Sequence, residues 1–204
     1  MAIEAEAHAE EHATSLGIDN RKLAMWAFLG SECMFFGALI ATYLLFHTHL
    51  NNGPGPRDVY NIPFTSVSSF VLLMSSLTMV LALAAIQRGD QEKLRVWLMA
   101  TALLGMTFIA GQVYEFTRFV EEGLSIKSNA ASSAFFTLTG FHGAHVTGGI
   151  LMLLSLFGMS LDGRLPPERA ETVELVGLYW HFVDIVWIVI FTVVYLIPAG
   201  KVGT

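Results

Sequence analysis

Charged side chains, cysteines and the motifs of soluble enzymes are all scarce in this sequence. Only 14% of its 204 residues are charged, whereas 54% are hydrophobic. So apolar a composition is atypical of a water-soluble domain and indicates a protein of the lipid bilayer. A single cysteine, Cys33, excludes an internal disulfide. The net charge of −6 argues against a nucleic-acid partner.

Familiar catalytic motifs are also missing. The sequence has no glycine-rich phosphate loop, no Gly-x-Ser-x-Gly elbow and no Cys-x-x-Cys pair. Four of the seven histidines lie in the N-terminal tail or at the end of an apolar run, which leaves His142, His145 and His181 inside such runs. Three are too few for the histidine-rich boxes of di-iron membrane enzymes. We therefore predict neither catalytic residues nor a metal site in this chain.

Five long runs that are nearly free of charge predict five transmembrane helices, because crossing about 30 Å of hydrocarbon takes roughly 20 helical residues. A membrane barrel would instead show alternating segments of about ten residues. The predicted fold class is therefore all-α, with a membrane domain at 23–198 between an acidic tail at 1–22 and a short tail at 199–204. The predicted spans are residues 23–47, 64–87, 94–117, 131–158 and 174–197.

Lysine and arginine are more numerous on one side of these spans, and this bias marks the cytoplasmic side. It predicts a cytoplasmic N-terminus and an external C-terminus. The inner set is Arg21, Lys22, Arg88, Lys93, Arg95, Arg164 and Arg169. The smaller outer set is Arg57, Arg118, Lys127 and Lys201.

Two short segments predict local structure between the spans. The tight turn Arg88-Gly89-Asp90 predicts that spans two and three are antiparallel neighbours. Thr65, which follows Pro63, is the predicted helix cap of span two.

Ionisable side chains inside a span cost about 2.5 to 3.5 kcal/mol each, so each calls for a partner or a function. Glu32 lies deep in span one. We weigh two interpretations of it: a proton-handling or partner-contacting group, and an acid that is hydrogen-bonded between helices. Glu115 lies near the outer end of span three, where we expect water to solvate it.

His142 and His145 are three residues apart in span four, so both lie near one face of that helix. One hypothesis is haem ligation, in which one of them faces His181 of span five across the haem. The alternative is that they hydrogen-bond neighbouring helices, which approach closely along a small-residue face. That predicted face is made of Gly140, Ala144 and Gly148.

Span five is the densest in polar and aromatic side chains. His181 and Asp184 are three residues apart and are expected to hydrogen-bond to each other. Trp180, Asp184, Trp187 and Phe191 fall on one helical stripe. Large aromatic residues at this period are typical of a packing seam, and the lining of a cofactor pocket is the competing interpretation.

Four runs closely resemble signature segments of subunit III of cytochrome c oxidase and quinol oxidase. They lie on four of the five spans, in the order in which the family carries them, and the resemblance covers roughly residues 22–197. The runs are residues 31–36 (SECMFF), 112–116 (QVYEF), 139–146 (TGFHGAHV) and 180–187 (WHFVDIVW).

This resemblance implies a non-redox accessory subunit of a proton-pumping terminal oxidase that reduces oxygen to water in the bacterial plasma membrane. Its implied partners are subunit I in direct contact, subunit II, a small subunit IV as a further candidate, and structural phospholipid. Haem and copper would lie on partner subunits. A quinol oxidase is the alternative, and a haem-binding membrane anchor and a small proton carrier are alternatives of another class.

Carried over residue by residue, Glu32 matches the family's buried membrane carboxylate. The members matched to its interhelical polar network, as structural or proton-related groups and not as metal ligands, are Glu115, His142, His145, His181 and Asp184. One departure stands out. Longer family members have seven helices with a lipid-filled cleft after the second, and this chain begins at the third, so we expect its cleft to be open to lipid or walled by another subunit.

Overall fold

The structure is a computed structural model that describes residues 19–47 and 61–196. A 3₁₀ turn, Pro167–Arg169, precedes the last of its five long helices, and a π turn, Thr192–Leu196, extends that helix. The predicted C-terminal tail and most of the predicted N-terminal tail lie outside the described residues. The helices are α1 (Asn20–Phe46), α2 (Ile62–Gln87), α3 (Gln91–Glu121), α4 (Ala130–Leu161) and α5 (Ala170–Phe191).

All five helices are long and apolar enough to cross a membrane. When the turns that flank α5 are counted with it, the shortest of the five helical segments is α2, with 26 residues. At 1.5 Å per residue it is about 39 Å long. The prediction of an all-α membrane protein with five spanning helices is confirmed.

The helices extend as many as four residues beyond the predicted spans. Helix α3, for example, begins at Gln91 and ends at Glu121, whereas the predicted span covers 94–117. The spans were delimited by charged residues, but backbone hydrogen bonding continues past the hydrocarbon until a cap ends the helix.

Asparagine and aspartate cap the starts of three helices. The side chains of Asn61, Asp90 and Asn129 accept hydrogen bonds from backbone N–H groups in the first turns of α2, α3 and α4. The prediction that Thr65 caps α2 is therefore wrong. Pro63 is accommodated inside the first turn, because its missing N–H is unneeded there, so the helix begins before the proline.

Helix α2 ends in a left-handed glycine, Gly89, with a φ of 73°. The Gly89 N–H donates to the Ile86 carbonyl at 2.9 Å and the Asp90 N–H donates to the Ala85 carbonyl at 3.0 Å. These two bonds close the helix with a Schellman motif. The turn brings the chain directly into α3, so the predicted antiparallel pair is present.

The chain divides into two compact units, 1–35 and 36–204, at a point within α1. The described part of the first unit is the helical segment that carries Glu32 and Cys33. In this segment the Ser31 hydroxyl donates to the Phe28 carbonyl at 2.7 Å. The second unit holds the remainder of α1 and helices α2 to α5.

Four helices of the second unit form a closed ring. Helix α2 packs against α3 and α5, and α4 packs against the same two helices. At one end of this ring, Arg95 of α3 donates from Nη2 to the Ser160 carbonyl at 2.7 Å and from Nε to the Ser160 hydroxyl at 3.1 Å. An arginine thus satisfies carbonyl and hydroxyl groups in the last turn of α4.

Candidate functional site

A row of hydroxyl side chains along α2 bonds to polar groups of α3 and α5. We call Thr65, Ser69, Ser75 and Ser76 the hydroxyl row. The first three are buried and Ser76 is half-buried. Thr65, Ser69 and Ser76 follow the helical repeat, and Ser75 lies beside Ser76, so together they cover one broad side of α2. This face is where the polar groups of the neighbouring helices find partners inside the membrane.

Two buried tryptophans of α5 bond to this row. The Trp187 Nε1–H donates to the Ser69 hydroxyl at 2.8 Å, and the Trp180 Nε1–H donates to the Ser75 hydroxyl at 2.9 Å. Indole N–H groups require such partners when they are buried. The two bonds fix the rotation and height of α5 against α2.

Asp184 and His181 of α5 both bond to Ser76. The Ser76 hydroxyl donates to Asp184 Oδ2 and lies 3.0 Å from His181 Nδ1. The expected direct bond between His181 and Asp184 is therefore replaced by a bridge through a hydroxyl of α2. Ser76 stands between the carboxyl and the imidazole, whereas a hydrolase triad places the imidazole in the middle. The cluster does not activate the serine as a nucleophile.

Glu115 of α3 is buried, with an exposed fraction of 6%. The Thr65 hydroxyl donates to its Oε1, and Tyr195 shares a hydrogen bond with Thr65. Tyr195 lies on the π turn that extends α5. The expectation that water solvates Glu115 is wrong, because α2 and the π turn enclose the carboxyl.

The hydroxyl row accounts for how two acids are accommodated without a cation. Among the described residues, neither Glu115 nor Asp184 lies within ion-pair distance of a lysine or arginine. Each acid instead accepts a hydrogen bond from an uncharged hydroxyl of α2. Interhelical hydrogen bonds of this kind hold membrane helices together.

Trp180 fills the centre of the four-helix ring and is fully buried. A Cβ placed on Gly105 of α3 would lie 2.6 Å from its ring, and one on Gly149 of α4 would lie 2.8 Å from it. Two glycines therefore make the space that the indole occupies. Trp187, the second predicted packing residue on this helix, lies against Phe108 with ring centroids 4.8 Å apart.

His142 of α4 is fully buried among aromatic rings. Its imidazole stacks on Trp187 with centroids 4.9 Å apart, and Phe108 and Phe36 meet its edges. Neither ring nitrogen has a partner among the described residues. Haem iron binds an imidazole through a ring nitrogen, and a fully buried imidazole enclosed by aromatic rings has no space beside its nitrogens for a haem, so the packing does not fit a haem ligand.

His145 lies one turn further along α4 and is half-buried. Its Nδ1 lies 2.8 Å from the Phe141 carbonyl, and Phe36 of α1 packs on its ring with centroids 4.9 Å apart. The Tyr179 hydroxyl donates to the His145 carbonyl at 3.0 Å. This histidine thus contributes ring packing and a backbone acceptor to the contacts of α4 with α1 and α5.

The predicted small-residue face does not make the closest helix contacts of α4. Gly140 and Ala144 are exposed, and a Cβ on Gly140 would meet nothing within 4 Å. The closest approaches occur at two other glycines on different sides of the helix: Gly143 faces Gln112 of α3 and Gly149 faces Trp180 of α5. A four-residue spacing identifies a small-residue stripe, but the rotation of the helix decides which stripe faces a neighbour.

Glu32 lies in the first unit, on α1, and is half-buried there. It belongs to the helical segment described above.

The sequence-based prediction missed the hydroxyl row and Gln112. The Gln112 Nε2–H₂ group donates to the Thr139 carbonyl of α4 at 3.1 Å. The available signal was the concentration of serine and threonine in residues 65–78, where seven of them fall within one apolar run. Burying a serine or threonine in a span costs much less free energy than burying an ionisable group, so these residues do not stand out in the sequence.

The described residues hold no group of three or more histidine, cysteine, aspartate or glutamate side chains that could bind a metal ion. The buried polar groups are instead distributed along the helix contacts. This arrangement suits a subunit whose polar residues fix helix packing and contact neighbours.

Comparison with known proteins points to one family. The sequence profile of the family described as cytochrome c oxidase subunit III matches residues 2–198. The chain is 40% identical over 195 residues to cytochrome c oxidase subunit 3 of Bacillus sp. (strain PS3), covering 96% of this chain and 93% of that protein. It is 36% identical over 192 residues to cytochrome bo(3) ubiquinol oxidase subunit 3 of Pseudomonas aeruginosa, covering 94% and 91%.

A third relative is the probable cytochrome c oxidase subunit 3 of Mycobacterium bovis, which is 41% identical over 170 residues, 83% of this chain and 84% of that protein. The similarity spans nearly the whole of each protein and includes the helices that carry the hydroxyl row and its partners. The chain belongs to the cytochrome c oxidase subunit III family, as a multi-pass membrane subunit of a terminal oxidase complex.

Proposed function

We propose that this chain is an accessory subunit of a cytochrome c oxidase that reduces oxygen to water and pumps protons. In this role it binds no haem or copper itself, stabilises subunit I by direct contact and supports proton uptake. The observation that carries the proposal is the use of the buried polar groups: Asp184, Glu115 and both tryptophans bond to hydroxyls of a neighbouring helix. These bonds serve packing.

The test is purification of the chain from its native membrane in mild detergent, followed by a reduced-minus-oxidised spectrum before and after it is stripped from its partners. We expect haem to copurify with the complex and to leave with the larger subunits. A stripped chain that keeps a haem would overturn the proposal and make His142, His145 and His181 ligand candidates.

A quinol oxidase is the second candidate, because the chain also resembles subunit 3 of a ubiquinol oxidase at 36% identity over 94% of its length. The purified complex separates the two. A cytochrome c oxidase oxidises reduced cytochrome c, whereas a quinol oxidase oxidises a quinol and leaves reduced cytochrome c unchanged. The same preparation identifies the other subunits, for which we propose subunits I and II and a small subunit IV, in the bacterial plasma membrane.

A proton carrier is the remaining alternative of another class. Such a protein would produce pH-driven flux in liposomes that contain this chain alone, and we expect none. Asp184 and Glu115 are held by hydroxyls within the helix ring, so we assign them a supporting role within the assembled oxidase.

Structural phospholipid is the proposed small-molecule partner. A groove of about 330 Å³ runs between the second half of α1 and the start of α4. The hydroxyls of Thr42 and Ser133 in it bond back to the Ala38 and Ile126 carbonyls, which leaves an apolar lining suited to an acyl chain. The lining residues are Leu39, Thr42, Phe46, Ala130, Ser133, Ala134 and Thr137.

Ala134→Phe tests the lipid proposal because it narrows this groove. We expect less phospholipid to copurify with the oxidase, measured by mass spectrometry of the extracted lipid. The control is Leu151→Phe, at a side chain of α4 that is 61% exposed. Equal lipid content in both variants would contradict the proposal.

A further inference from the structure

His181 carries a polar edge that the described part of this chain does not satisfy. It lies near the middle of the 30-residue helical segment Pro167–Leu196 and is half-buried. Its Nδ1 lies 3.0 Å from the Ser76 hydroxyl. Among the described residues, its Nε2 has no hydrogen-bond partner and no aromatic ring packs on the imidazole.

Ser76 engages only one of the two ring nitrogens of His181. Its hydroxyl bonds to Asp184 Oδ2 and lies 3.0 Å from His181 Nδ1. In a neutral imidazole one nitrogen donates and the other accepts, so Nε2 requires a hydrogen-bonding partner in either tautomer. A hydroxyl or an amide group suits both tautomers, because each of these groups can donate and accept.

Exposed apolar side chains surround His181 at helical spacing. We call this surface the α2–α5 face. On α2, two of its members lie one turn to either side of Ser76 and a third is the next residue along the chain. On α5, its two members lie one and two turns beyond His181. Its members are Leu73, Leu77, Val80, Ile185 and Ile188.

Acyl chains cannot bond to Nε2 at this depth. An ionisable side chain in mid-membrane faces the interior of a bundle or a polar partner, because hydrocarbon offers it no hydrogen bond. His145, the other half-buried histidine of the bundle, has Phe36 of α1 against its ring. On the outward side of His181, the described neighbours by helical spacing are the exposed apolar side chains of the α2–α5 face, so lipid alone would leave Nε2 without a hydrogen bond.

We propose that the α2–α5 face is the docking surface for a transmembrane helix of a neighbouring oxidase subunit, and that this helix carries a hydroxyl or amide group opposite His181 Nε2. The inference rests on the proposed function, because it requires the chain to assemble with other subunits. A single hydroxyl or amide group in an apolar helix supplies the hydrogen bond, and the five apolar side chains pack around it.

Crosslinking in the assembled oxidase identifies the occupant. Ile185→Cys places a thiol on the α2–α5 face at a side chain that is 59% exposed, in a Cys33→Ser background that removes the single native cysteine. A short thiol-linked photocrosslinker on it is expected to form an adduct with another oxidase subunit. Leu151→Cys on α4 is the matched control, since that side chain is 61% exposed away from this face. An adduct with phospholipid, with a second copy of this chain or with nothing would overturn the proposal.

Substitution of His181 tests the proposed hydrogen bond at Nε2. His181→Leu removes Nε2 and suits lipid, so a lipid-facing site would tolerate it, whereas loss of an interhelical hydrogen bond should weaken retention on the oxidase roughly 3- to 15-fold. Thr147→Leu on α4 is the control, because its hydroxyl bonds to the Gly143 carbonyl of its own helix.

The outcomes separate this inference from the function on which it rests. A native chain that fails to copurify with a haem-containing oxidase would contradict the proposed function. A native chain that copurifies, together with a His181→Leu chain retained equally well across a detergent titration, would contradict only the docking surface.

Discussion

Trp180 occupies the point at which α2, α3, α4 and α5 meet, and its environment is built from the smallest side chains available. Gly105 and Gly149 leave room for its ring on two sides, and Ser75 accepts its N–H on a third. A large ring at the centre of a membrane bundle gains its stability from close packing, since lipid is as apolar as the protein interior. The site is therefore sensitive to added volume.

Gly105→Ala should destabilise the subunit. The new Cβ would lie 2.6 Å from the Trp180 ring, and such overpacking costs about 1 to 3 kcal/mol. Thermal unfolding of the purified complex in mild detergent measures it. Gly140→Ala is the matched control, because a Cβ there meets nothing within 4 Å. Equal melting temperatures for the two variants would contradict the assignment of Trp180 as the central packing residue.

A double-mutant cycle of Ser69→Ala and Trp187→Phe should give a coupling energy of about 0.6 kcal/mol, with an upper bound near 1.7. The two side chains share a hydrogen bond of 2.8 Å. Trp187→Phe also loses ring packing against His142. That loss is the same whether residue 69 is serine or alanine, so it cancels in the cycle. Stability in detergent is the measurement, and strictly additive effects would show that the bond contributes nothing.

Helix α2 is the element that organises the others, because its hydroxyl row meets both α3 and α5. The row keeps two acids inside the bundle without a cation among the described residues. Where one helix leads into the next, a capping side chain marks the start of the second helix. Asp90 is the clearest case: its side chain accepts the Lys93 N–H at 3.1 Å and pairs with Lys93 Nζ at 2.7 Å.

The cap at Asp90 should make the stability of α3 depend on pH. The hydrogen bond from Lys93 lowers the pKa of Asp90 below its usual range. A carboxyl with a lowered folded pKa contributes stability above its unfolded pKa of about 4, and that contribution is lost as the pH falls through the folded value. We expect the difference in melting temperature between the native chain and Asp90→Asn to be constant from pH 7 to 5 and to shrink below pH 4.

Asparagine at this position is the appropriate comparison because it caps a helix without titrating. A difference that grows as the pH falls below 4 would mean that the lysine does not stabilise the charged form of the carboxyl.

At the scale of the whole molecule, the two histidines of α4, His142 and His145, occupy packing positions. His142→Leu should leave the haem content of the purified oxidase unchanged, because the imidazole stacks on Trp187 and its nitrogens have no partner among the described residues. His142→Ala should lower stability by leaving a cavity, again with haem retained. A reduced-minus-oxidised spectrum normalised to protein measures both, and loss of haem in an assembled complex would contradict the packing assignment.

Much of the architecture followed from the sequence because its determinants are local. Five charge-poor runs predict five helices, since in hydrocarbon each backbone polar group must be bonded within its own segment. The starts of the helices were harder to predict from the sequence. Thr65 was chosen as a cap because it follows Pro63, but a proline is tolerated in the first helical turn, and Asn61 caps α2 instead.

The candidate site was only partly predictable. The ionisable residues of α5 and α3 were found because such groups are rare in a span, but their partners were not, since serine and threonine are common there. Glu115 was expected to be solvated, and the π turn at Tyr195, which has no simple sequence signal, helps to enclose it. The small-residue stripe was identified by spacing, but Gly140 and Ala144 are exposed and only Gly148 lies near another helix, at Tyr179 of α5.

The sequence by itself determined the solvent of this protein, the number of its membrane helices and the family to which it belongs, because hydropathy and short motifs are properties of contiguous residues. Only the tertiary structure decided how each helix is rotated and which side chains meet. Apolar runs are hydrophobic on every side, so no amphipathic stripe marks the inward face. In this protein the rotation is defined by bonds between helices, from Ser69, Ser75 and Ser76 to the polar residues of α5.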